Sequence, residues 1–150
     1  MTSFTGEYIN NLDQKNRLSI PAKYRNLLHP GNDCTFVLSK GFDPCLFLYP
    51  IEEWKLVEEQ LASLSSIKDK HRNFIRKIVR HANYVRYDSQ GRIAIPDLHL
   101  EYANITKEVL VIGMLKKIEL WDPEALMNYE KQKDFLSDED FEDLANEINF

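Results

Sequence analysis

The chain has 150 residues, 43% of them apolar and 29% charged, with a formal net charge of −5 at pH 7. That length and balance fit one folded domain or two very small ones and exclude a disordered chain. The longest apolar runs, at 45–51 and 109–115, are too short to cross a bilayer as a helix, and the N-terminal residues show no secretory core.

In chain order, residues 13–21 read D-Q-K-N-R-L-S-I-P, a turn that enters a strand and stops at proline. Pro21 then opens a short helix over A-K-Y-R-N-L-L, at the first position, where the missing N–H costs nothing. Residues 36–41 and 46–50 are apolar strands; the first ends near Gly41 and the second places Tyr49 before Pro50. A helix follows, I-E-E-W-K-L-V-E-E-Q-L. Residues 66–82 predict an amphipathic helix. Ile67, Phe74, Ile75, Ile78, Val79 and Ala82 share one face, and Arg72, Arg76 and Arg80 with Lys70 and Lys77 cover the other. At residue 88 the opening phrase returns as D-S-Q-G-R-I-A-I-P, identical at four of nine positions. A short helix, strands ending near Gly113 and Trp121, and a helix from Pro123 with Asp122 as N-cap complete the second copy. Last, Ser137 with Asp140 three residues on starts an acidic helix striped by Phe141, Leu144, Ala145 and Ile148.

The chain is therefore two copies of one unit: strand, turn, strand, short helix, strand, strand, helix. A unit of roughly 60–70 residues is marginal as an independent core. The two are expected to close on each other as one pseudo-twofold body, mainly β with helices, an α+β fold. The expected boundaries are 6–64 for the first unit with its trailing helix and 65–82 for a linking basic helix. The second unit takes 83–131 and the acidic C-terminal helix 132–150.

The net charge hides an asymmetry. Residues 66–96 hold eight bases against two acids, and residues 97–150 hold fourteen acids against five lysines. Segregated charge, not its sum, decides what a surface binds. The repeated phrase concentrates this. Asn16 stands where the second copy has Gly91, and Asn and Gly are the residues that most readily take positive φ. Residues 13–17 and 88–92 are therefore expected to be hairpin turns with Lys15-Asn16 and Gln90-Gly91 at their tips. Asp13 and Asp88 can accept the backbone N–H groups of those turns and pair with Arg17 and Arg92. Two readings stay open: an Asp–Arg clasp that locks a turn, and an arginine fork held ready for phosphate or guanine edges. Both can hold at once.

Nothing in the chain points to catalysis. His29, His71, His81 and His99 are scattered, and no nucleophile sits with a base. G-x-S-x-G, P-loop and G-x-G-x-x-G motifs are absent from the sequence. Cys34 and Cys45 have no metal spacing and read as free thiols. No enzyme, metal or cofactor is expected.

The phrases D13-Q-K-N-R-L-S-I-P-A-K-Y-R and D88-S-Q-G-R-I-A-I-P, with F36-V-L-S-K-G-F-D-P-C-L-F-L-Y-P-I-E-E-W between them, resemble the MraZ family. The likeness runs from about Gly6 to Tyr129. It implies tandem AbrB-like, swapped-hairpin units in a ring-like homo-oligomer, an octamer favoured. It also implies a cytoplasmic, nucleoid-associated regulator that binds repeated double-stranded promoter boxes before a division and cell-wall gene cluster and usually represses it. The family's DNA-contacting positions fall here on Lys15 and Arg17 first, then Lys23 and Arg25, with Arg92 and Arg86 in the second copy. Copy two departs from the basic pattern at Ser89, Gln90, Asp97 and Leu98, so its turn is expected to be the more structural one. An alternative is an AbrB-like interaction module or antitoxin that uses the acidic C-terminal helix.

Overall fold

The computed structural model describes residues 3–133 and 136–148. Its elements follow the repeat. The first copy runs β1 (Glu7–Asn11), β2 (Arg17–Ser19), α1 (Ala22–Arg25), β3 (Thr35–Lys40), β4 (Leu46–Pro50) and α2 (Ile51–Ala62). Helix α3 (Asp69–Val79) leads into the second copy: β5 (Asn83–Arg86), β6 (Arg92–Ala94), α4 (Asp97–Ala103), β7 (Glu108–Gly113), β8 (Ile118–Trp121) and α5 (Pro123–Lys133). Helix α6 (Asp138–Glu147) ends the described chain.

Strand pairing shows how the copies close. One antiparallel sheet has the order β1-β7-β8-β4-β3-β5, and β2 pairs with β6 in a separate two-stranded ribbon. Exchanging the copies exchanges β1 with β5, β7 with β3 and β8 with β4, so the order reads the same from either edge. Each copy gives its first strand to the other: β1 pairs with β7 (Tyr8 opposite Val111) and β5 with β3 (Val85 opposite Phe36). The repeated phrases lie antiparallel against each other, with Leu18 opposite Ile93 at the centre. The fold is α+β with two swapped units about a pseudo-twofold, as the repeat implied.

The turns at 13–17 and 88–92 close on themselves, but the strands beside them do not go on as hairpins. Asp13 N–H donates to Arg17 O at 3.0 Å and Asp88 N–H to Arg92 O at 2.9 Å. Beyond that pair, β1 and β2 part to different sheets. The reason lies in the side chains. Leu18, Ile20, Ile93 and Ile95 are buried in one core with Phe36, Leu38, Leu46, Leu48, Ile118 and Leu120. The ribbon therefore lies across the large sheet as a lid. The alternate residues Val37, Phe47, Tyr49, Leu110 and Trp121 bury on the opposite face beneath α2, α3 and α5. A strand covered on both faces reads as a continuous apolar run, which is why β4 is L-F-L-Y-P with every residue buried.

The helices hold smaller differences. Pro21 and Pro96 precede α1 and α4 as caps, one position earlier than expected. Asp122 caps α5: its carboxylate accepts from Ala125 N–H at 3.0 Å. Ser137 and Asp140 form the reciprocal capping box of α6. The apolar face of α3 is only partly covered. Ile78 packs on the outer core, but Phe74 and Val79 are exposed.

Candidate nucleic-acid interface

The ribbon's outward face is set by its register. Leu18 and Ile93 point inward, so Arg17, Ser19, Arg92 and Ala94 share the outer face. The arginines stand on a diagonal, with a small side chain opposite each. A ribbon of this kind is narrow enough to enter a DNA groove.

Each arginine is held by the aspartate four residues earlier. Asp13 Oδ1 accepts the backbone N–H groups of Lys15 and Arg17, both at 2.9 Å, and its Oδ2 accepts Arg17 Nε–H at 2.7 Å. Asp88 repeats this with Gln90 N–H (2.9 Å), Arg92 N–H (3.0 Å) and Arg92 Nε–H (2.9 Å). The carboxylate thus holds turn and guanidinium together. The Arg17 N–H bond is the leading cause that holds the Asp13 carboxyl below the usual range, and Arg92 N–H does the same for Asp88. Both aspartates are anionic when their arginines are in place.

The clasps are joined across the pseudo-twofold. Arg92 Nη1 also lies 3.7 Å from Asp13 Oδ2. Each turn is closed from the other copy: Ile20 N–H donates to Gly91 O at 2.9 Å and Ile95 N–H to Asn16 O at 3.1 Å. Asn16 (φ 57°) and Gly91 (φ 77°) are both left-handed, so the exchange of Asn for Gly does mark this backbone state.

The remaining candidates are placed as follows. Lys15 is exposed at the first tip, and only its backbone is bonded among the described residues. Lys23 is exposed, its Nζ 3.5 Å from Thr5 O. Arg86 is tied to the first copy's loop, Nε–H donating to Asp33 O at 3.2 Å and Nη2 to its carboxylate at 3.3 Å. Arg25 departs most from its sequence neighbourhood. Its guanidinium reaches the second turn, 5.6 Å from the Tyr87 ring centre, while its Nε–H donates to Ile20 O of its own copy at 2.9 Å. A Cβ on Gly91 would stand 2.6 Å from the guanidinium carbon. Gly91 therefore serves two needs, a left-handed backbone and room for Arg25. At the first turn the second copy instead brings Asp97, whose carboxylate accepts Asn16 Nδ2–H at 3.4 Å.

Sequence reasoning grouped Arg25 with Lys15 and Lys23. The fold instead sets Arg25 against the second turn beside Arg92, ties Arg86 to the first copy's loop, and brings an acid, Asp97, to the first turn. Asp97 and Tyr87 were not singled out as parts of the site. The one hint was Gly91, since a glycine can mark a close approach as well as a positive φ.

The chain matches the family described as "MraZ protein, putative antitoxin-like" twice, over residues 3–77 and 78–148. It is also similar to the "Transcriptional regulator MraZ" of Clostridium acetobutylicum. The two are 44% identical over 126 residues, which covers 84% of this chain and 86% of that protein.

Proposed function

Because the chain belongs to the MraZ family, we propose that it is a transcriptional regulator, not an enzyme, that binds repeated promoter boxes as a ring-like homo-oligomer. The target is double-stranded DNA upstream of a division and cell-wall gene cluster, and the usual outcome is repression in the cytoplasm, at the nucleoid. No helix among the described residues is long and apolar enough to cross a membrane.

One observation carries this reading. Arg17 and Arg92 share the outer face of the ribbon, each anchored at Nε by an aspartate. The clasps bond each fork through Nε; Arg92 Nη1 alone also lies near a second carboxylate, 3.7 Å from Asp13 Oδ2 among the described residues. A fork fixed in this way loses little freedom when it meets a phosphate or a guanine edge. Lys15 and Lys23 add exposed charge near the first turn, and Arg25, held over Gly91, supports the second. The whole-chain charge of −5 does not oppose this, because Lys15, Arg17, Lys23, Arg25, Arg86 and Arg92 outnumber Asp13, Asp88 and Asp97 around the two turns and most acids lie in other segments.

The direct test is binding to the repeated boxes as salt is varied. Log affinity is expected to fall by about 0.9 per log unit of salt for each phosphate neutralised. A complex insensitive to salt, or none at all with the promoter duplex, defeats the reading. The exposed acidic helix α6 favours a second reading, an interaction module that sequesters another protein. That reading requires a distinct protein to co-purify stoichiometrically with the full chain.

A further inference from the structure

Helix α6 has an apolar stripe that its own chain leaves uncovered. Phe141 is 61% exposed, Leu144 53% and Ile148 69%. The rest of the helix surface is acidic: Asp138, Glu139, Asp140, Glu142, Asp143 and Glu147, with no base. The outer face of the sheet carries a groove of about 460 Å³ between α2, α3 and β4. Its floor includes Phe47 and Tyr49, and its walls include Leu56, Phe74 and Ile78. Phe74 is 45% exposed, Leu56 48% and Phe42, also on its lining, 72%. Such a concentration of open aromatic and aliphatic surface marks a contact site.

The charge around this groove is opposite to that of α6. Lys40, Lys116 and Lys117 line it against one carboxylate, Glu53. Lys117 Nζ lies 4.7 Å from the Phe47 ring centre and 5.8 Å from that of Tyr49, so a cation stands over the apolar floor. Lys40 also borders an adjoining depression with Arg76 and Lys77 of α3 and Arg80 just past its end. An amphipathic helix laid in a groove is a recurrent docking mode, with anchors at i, i+3 and i+7. Phe141, Leu144 and Ile148 have that spacing, and the acids beside them meet the lysines.

We propose that α6 of one copy docks in the α2–α3–β4 groove of a second copy. The contact is heterologous, helix to groove, so repetition about a closing rotation gives a ring. The inference rests on the proposed homo-oligomer and names the contact that builds it.

The test uses full-length chains and sedimentation velocity. One variant carries Phe141→Glu with Leu144→Glu, both exposed, so folding is not at stake. The other carries Lys40→Glu with Lys117→Glu and keeps its helix. Each alone is expected to fall from the wild-type mass to the monomer, with self-association weakened at least about tenfold. Mixed, they are expected to form a one-to-one heterodimer, because each supplies one sound half. Circular dichroism confirms that both variants are folded. Wild-type mass in either folded variant overturns the inference alone, and so does a mixture that forms no heterodimer. Docking of α6 on its own chain gives that second result, since it leaves nothing to exchange. A wild-type chain that is monomeric overturns the proposed oligomer and this contact together, whereas DNA binding is scored separately on the promoter duplex.

Discussion

Arg17 and Arg92 each give Nε to a carboxylate four residues back, and this fixes what substitutions at the site should do. Removing Arg17 takes away the fork proposed to meet DNA, whereas removing Asp13 takes away the support of both turn and fork. Arg17→Ala is expected to weaken DNA binding by about 1–3 kcal/mol for each base that the fork reads directly, while the protein stays folded. A fluorescence anisotropy titration checks this; wild-type affinity in a folded Arg17→Ala protein removes Arg17 from the interface. The aspartates also set an acid limit. Folding lowers both carboxyl pKa values. Their stabilisation is therefore complete above the unfolded value of about 3.9 and is lost as pH falls through the folded value. The urea midpoint of the wild type is expected to drop more between pH 7 and pH 3 than that of an Asp13→Asn, Asp88→Asn protein. Equal drops would show that the clasps do not govern acid stability. At this scale the repeated phrase was informative: the clasp spacing and the left-handed Asn16 and Gly91 follow from residue types alone. The path of Arg25 to Gly91 does not, because it depends on which turn the second copy brings beside α1.

The ribbon is the element that turns two phrases into one surface. Leu18 faces Ile93 across it, and both are fully buried against the large sheet. Leu18→Ala is expected to cost about 2–5 kcal/mol, read as a shifted urea midpoint, because truncation leaves a cavity under the lid. Combined with Ile93→Ala, the effects should be non-additive by about 0.5–3 kcal/mol, as for residues that touch. Strict additivity would separate the two strands. Strands and helices could be placed from periodicity, and Asp122 and Ser137 marked two helix starts by their capping chemistry. Strand partners could not. β1 is exposed at four of its five residues, so its own side chains select neither β2 nor β7, and what turns β2 away to cover the sheet is the inward pull of Leu18 and Ile20. Nor did the stripe on α3 show how much of it would be covered, since helical spacing defines a face without its neighbour.

For the whole molecule, the exchange of first strands makes the copies inseparable. A fragment of residues 3–77 would lack β7, β8, β5 and β6, the partners of β1, β4, β3 and β2. It is expected either to remain unfolded or to pair with itself, and never to be a folded monomer, as checked by circular dichroism and sedimentation. The duplication foretold this twofold body, because one unit is too small to bury its own core. The scale above, chain on chain, is written in surfaces: a groove rimmed by lysines and an acidic helix with an open stripe. In the proposed reading the paired arginines of the ribbon hold DNA. The most direct test of that reading is the salt dependence of binding to a tandem-box promoter duplex, for wild type beside an Arg17→Ala, Arg92→Ala protein. A steep wild-type slope is expected, with weaker binding and a shallower slope in the folded variant. The same affinity and the same slope in both proteins would contradict it.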